Sequence, residues 1–131
     1  MEEKMTFRES AFIFIFENMF LNEPTDVLFE QAEEIEGITA GEKTRTLVDA
    51  ALTNIDEIQS KISQFSPTRA YPRIPKLNAA VLITAFAEIL YTKKAPVNVT
   101  VSEAMKIVKK YGLDNDVKFV NGVLGAFSRS L

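Results

Sequence analysis

The chain has 131 residues, 47% of them hydrophobic, and a formal charge of −3. That suits one compact domain with a real core and is too short for two large ones. Cysteine and histidine are both absent, which excludes disulfides, a thiolate nucleophile, a Cys/His zinc site and a Ser-His-Asp triad.

The start, Met1-Glu2-Glu3-Lys4-Met5, lacks the basic opening and apolar stretch of a signal peptide. No apolar run approaches the ~18 residues that suggest a membrane helix. Together with the missing cysteines, this reads as a cytoplasmic chain with no membrane partner. The first apolar segment, Ala11-Phe12-Ile13-Phe14-Ile15-Phe16, is β-branched and aromatic, and alone it reads as a strand. Two facts favour a helix. No second strand exists to pair with it. The wider window also places Phe12, Ile13, Phe16, Met19 and Phe20 on one helical face. Phe7, Ala11, Phe14 and Leu21 then fall on roughly the opposite face. Such a helix is either wrapped by its own domain or offers one face to a partner or a second copy.

A weaker helix is expected over about 25–36, opening at Thr25 or Asp26. Residues 45–65 place Leu47, Ala51, Ile55, Ile58, Ile62 and Phe65 on one stripe of a long helix, which Pro67 stops. Residues 73–93 are apolar nearly all round, the pattern of a buried central helix. Pro96 marks a loop, and Thr100-Val101-Ser102-Glu103 reads as a capping box opening the next helix. That helix buries Val101, Ala104, Val108 and Tyr111, and Gly112 is placed to close it in a left-handed cap. Asp114 or Asn115 caps a last helix with a core stripe at Val117, Val120, Leu124 and Phe127.

Charge is unevenly spread. Residues 1–42 carry two basic groups (Lys4, Arg8) against eleven acids, whereas residues 43–131 carry thirteen against seven. No acid lies between Glu57 and Glu88, yet Lys61, Arg69, Arg73 and Lys76 do. Lys93, Lys94, Lys106, Lys109 and Lys110 follow. Such groups can replace the counterions condensed on a nucleic acid, although many are ordinary surface lysines, Lys106 and Lys110 above all. Adjacent acids such as Glu33-Glu34 and Asp56-Glu57 point apart on a helix and form no catalytic pair. The glycines are scattered, so there is no phosphate loop, and Gly37 and Gly41 lie in a polar connector.

Phe119 is sharper. It lies off the core stripe of its helix, beside Lys118, where an exposed ring suits stacking on an unpaired base. The alternative is a second buried face, since Val123 lies one turn on. Gly122 and Gly125, inside the same helix, each cost about 1 kcal/mol against alanine. That cost implies close approach by a neighbouring helix or by a ligand backbone.

The segment Lys118-Phe119-Val120-Asn121-Gly122-Val123-Leu124 resembles the signature of the NusB transcription-antitermination family. Arg73 to Leu82, Ala95 to Ala104 and Lys109-Lys110-Tyr111-Gly112 are similar to further family segments. Arg8-Glu9-Ser10-Ala11 resembles the opening of the family's first helix. The match is dense over about 69–127 and thinner over 8–65.

The resemblance implies an all-α, compact helical bundle of two packed subdomains, about 1–67 and 68–131. It implies an adaptor, not an enzyme, that binds boxA-type single-stranded RNA with the ribosomal protein NusE and serves the RNA polymerase antitermination complex. Neither cofactor nor metal is implied, and the chain is a monomer or a homodimer. Carried over residue by residue, Arg8, Lys118 and Phe119 touch RNA, with Lys4 and Asn115 beside them. Phe16 and Asn78 fall where the family supports the protein partner or the RNA surface nearby. One departure matters: family members often start with several arginines, where this chain has Glu2, Glu3 and Lys4. An alternative is therefore a protein-interaction module of the same fold with weak or lost RNA binding. A third relative, the NusB-like domain attached to RNA methyltransferases, precedes a catalytic domain for which a chain ending at Leu131 has no room.

Overall fold

The computed structural model describes residues 5–32 and 41–131. Lys4, the Glu33-Glu34 pair and Gly37 lie outside the described residues. The elements are α1 (Phe7–Leu21), α2 (Thr25–Ala32), α3 (Glu42–Thr53), α4 (Ile55–Phe65), a 3₁₀ turn (Tyr71–Arg73), α5 (Lys76–Ala87), a π turn (Glu88–Thr92), α6 (Val97–Tyr111) and α7 (Asp114–Arg129). Among the described residues there is no strand, and no helix is long and apolar enough to cross a membrane.

Helix α5 is the centre. Every residue from Asn78 to Ala87 is buried, and the helix packs against α1, α3, α4, α6 and α7. The nearly continuous apolar run 73–93 finds its reason here, because neighbours surround the helix on all sides. The run is not one regular helix. After Ala87 the backbone widens into the π turn, in which the Lys93 amide donates to the Glu88 carbonyl at 2.7 Å.

The aromatic first segment is helical. Thr6 caps α1 by accepting from the Glu9 amide at 3.1 Å, and Asn22 ends it in the left-handed region at φ 55°. Its two apolar faces are mostly wrapped. Phe14 stacks on Phe29 of α2 with centroids 4.4 Å apart, and Phe12 meets Tyr111 of α6 at 5.3 Å. The far end is not wrapped: Phe20 and Leu21 are 64% and 51% exposed.

Four local expectations are corrected. The stripe over 45–65 is carried by two helices, α3 and α4, parted at Asn54. The Asn54 side-chain amide donates to the Ala50 carbonyl at 2.8 Å and competes with the helical ladder. Helix α6 starts at Val97, earlier than the Thr100 box, because Pro96 holds an extended φ of −57° and ψ of 148° at its head. Thr100 is thus inside the helix and buried, its hydroxyl unpartnered among the described residues. Gly112 is extended, at φ −106° and ψ −179°, not left-handed. A Cβ there would stand 3.0 Å from both the Asp116 Cβ and the Val108 carbonyl, and that crowding explains the glycine. Last, neither Asp114 nor Asn115 caps α7. Leu113 holds the cap position, and the Asp116 carboxylate accepts its amide at 2.8 Å.

Candidate nucleic-acid interface

The last helix builds the site. Asp114 and Asp116 sit in its first turn, where carboxylates oppose the positive end of the helix dipole. Asp116 does two things. It accepts the Leu113 amide, and its other oxygen accepts the Asn78 side-chain amide at 3.0 Å. The first turn of α7 is thereby tied to the first turn of α5. Val120, Val123, Leu124 and Phe127 face the core, and Phe127 stacks on Phe86 of α5 with centroids 4.0 Å apart.

With that stripe inward, the spacing of three, four and seven puts Asn115, Lys118, Phe119 and Gly122 together on another face. Asn115, Lys118 and Gly122 are exposed, and Phe119 is half-buried against the core. Of the two alternatives the sequence left open, an exposed ring and a second buried face, Phe119 thus lies between. Val123 is completely buried, whereas Phe119 is half-buried, with the guanidinium of Arg69 5.6 Å from its ring centroid.

The helical glycines differ from expectation. Nothing stands within 4 Å of a Cβ built at Gly122, and Gly125 meets only the flexible Arg129 side chain. No neighbouring helix approaches either. At Gly122 the open space lies one turn beyond Phe119, on the candidate surface itself.

Arg8, expected at the RNA, is engaged elsewhere. Its Nε and Nη2 donate to the two carboxylate oxygens of Glu88 at 2.6 and 2.8 Å. Glu88 is 1% exposed and the Arg8 side chain 14%. The hydrogen bond to Glu88 raises the arginine pKa further. Glu88 lies ten residues beyond Asn78, so this pair is roughly 15 Å along the central helix from the α7 terminus. The structure does not bring Arg8 together with Lys118 and Phe119.

Asn78, assigned to partner support, is buried and serves through Asp116, with its Oδ1 unpartnered among the described residues. Phe16 is half-buried in a row on α1, stacked on Phe12 at 6.0 Å and edge-on to Phe20 at 5.5 Å. Of the basic groups, Lys106 pairs with Glu103 and Lys110 with Glu9, so these two are held by acids. Arg69, Arg73, Lys76 and Lys118 are exposed at or near the α5 and α7 N-termini. Among the described residues no three acidic side chains converge as a metal site would need. Sequence reasoning missed two residues. Glu88 is the single acid in an apolar run, itself a sign of a buried ion pair. The position of Arg69 over Phe119, fifty residues apart, had no local signal.

Comparison with known proteins agrees with this architecture. The model of the NusB family matches residues 5–129. The transcription antitermination protein NusB of Pseudothermotoga lettingae is 33% identical over 132 residues, covering 99% of this chain and 94% of the relative. T. maritima NusB superposes with a TM-score of 0.82 at 30% identity, over 97% of this chain and 93% of that one. A NusB chain solved with NusE and double-stranded RNA superposes with a TM-score of 0.82 at 26% identity, over 95% of each chain. The chain belongs to the NusB family.

Proposed function

We propose that this protein is a cytoplasmic, non-catalytic antitermination adaptor that holds boxA-type RNA together with NusE for the RNA polymerase antitermination complex. One observation carries the RNA half: Asn115, Lys118, Phe119 and the open Gly122 share one surface of α7. An amide, a cation, an aromatic ring and unobstructed backbone suit a single strand, whose unpaired bases stack and whose phosphates take the charge. The relative solved with NusE holds double-stranded RNA. The choice of single strand here rests on Phe119. Arg8 enters as the residue that fixes the start of α1 against Glu88, and Asn78 as the one that positions Asp116. Phe16 and its row on α1 belong to the protein-partner side. Lys4 stays a candidate phosphate contact.

The test is binding of a boxA oligomer with NusE present, across a salt series. Affinity falls as salt rises, and Phe119→Ala weakens it by about 1–3 kcal/mol. Equal affinity for unrelated RNA, or none with NusE present, sinks the proposal. A second reading is a NusE-binding module with lost RNA binding. The engagement of Arg8 by Glu88 favours it, since that cation is already neutralised. Capture of NusE without RNA binding in low salt selects it.

A further inference from the structure

The surface around Phe119 contains a cation that α7 does not supply. Arg69 belongs to the connector between α4 and the 3₁₀ turn, two residues after Pro67. It is exposed, and no carboxylate pairs with it among the described residues. Along the chain the nearest acids are Glu57 and Glu88, and the fold brings neither to it. Its guanidinium stands 5.6 Å from the centroid of Phe119. That is within reach of a cation–π contact but too close to admit another ring between them. A rotation of the exposed arginine chain covers the difference, because nothing else holds it.

We propose that Arg69 and Phe119 form a two-sided slot for one unpaired RNA base, with Phe119 as the floor and Arg69 as the roof. A planar, weakly hydrated guanidinium stacks on a base as well as an aromatic ring does, and its edge still reaches a phosphate. Without RNA, Arg69 lies over the ring and shields it from water. With RNA, the base replaces that contact by two. Lys118 beside the floor takes the adjoining phosphate. The open space at Gly122 lets the sugar-phosphate chain leave along α7 without meeting a Cβ. The slot rests on the RNA-binding reading above and adds to it a residue from another element and a stoichiometry of one base.

The experiment measures binding of a boxA oligomer in the presence of NusE for the unaltered chain, Arg69→Ala, Arg69→Lys and Phe119→Ala. Each is repeated on oligomers carrying one abasic position at a time. Arg69 is exposed, so its variants fold, which thermal denaturation verifies. Arg69→Ala weakens binding about fivefold. Arg69→Lys recovers only a minor part, because lysine keeps the charge and loses the plane. At one abasic position the penalties of Arg69→Ala and Phe119→Ala both vanish, since the base that both touch is gone. Full recovery by lysine, a penalty that persists at every abasic position, or penalties that vanish at different positions overturns the slot. So does unchanged binding of either alanine variant. If Phe119→Ala alone weakens binding, the RNA reading stands and the slot falls; if the unaltered chain binds no RNA, both fall.

Discussion

Arg8 clasps Glu88 with two parallel hydrogen bonds across eighty residues of sequence, and so pins the first turn of α1 to the π turn that ends the central helix. The carboxylate is buried and the guanidinium nearly so. Desolvation opposes such a pair, and its geometry offsets that cost only while both partners are present. Arg8→Ala therefore strands a buried charge and destabilises the fold by about 3 kcal/mol in urea denaturation. The paired replacement Arg8→Met with Glu88→Leu recovers most of the loss. A single-variant loss below about 1 kcal/mol contradicts this.

Two glycines give opposite outcomes. Gly122→Ala raises stability by about 1 kcal/mol, since the helix gains propensity and the new methyl meets nothing. The same change weakens RNA binding if the ligand backbone passes there. Gly112→Ala lowers stability by about 1 kcal/mol or more, because its Cβ presses on Asp116 and on the Val108 carbonyl. Thermal midpoints of the two variants should move in opposite directions.

Asp116→Ala removes the cap on the Leu113 amide and the partner of the buried Asn78 amide. Together these cost about 2 kcal/mol. RNA affinity should fall as well, although Asp116 carries a charge that repels phosphate. An affinity gain would mean that its charge outweighs its positioning role.

All three tyrosines ionise above the ordinary 10.0. Burial is the main cause for Tyr71, Tyr91 and Tyr111, and hydrogen bonds to Glu57 and Glu9 add to it for the last two. An absorbance titration at alkaline pH should show no normal tyrosine until denaturant is added. Above pH 10 the unfolded chain releases these protons first, so stability is full below that pH and declines as pH rises through the folded values. Lys110, raised by its bond to Glu9, acts with the same sign. Tyr111→Phe should flatten the decline in part. A tyrosine titrating at or below 10 in the folded protein refutes the burial argument.

The sequence by itself determined that the chain is all helical and that 73–93 is its buried centre. Both are consequences of side-chain periodicity, which local backbone geometry converts directly into faces. The family resemblance named Lys118, Phe119 and Asn115, and the structure adds that they share one face of α7 with the open Gly122. Helix ends were less legible. The Thr100 box and the Gly112 cap each had the right residue type, but Pro96 and the crowding by Asp116 and Val108 set the boundaries there. Only the tertiary structure decided where Arg8 and Arg69 point. One is consumed by Glu88 and the other is laid over Phe119, although both are simply arginines in the chain. A cation's availability depends on which carboxylate or ring the fold carries to it, and over separations of eighty and fifty residues no local pattern records that.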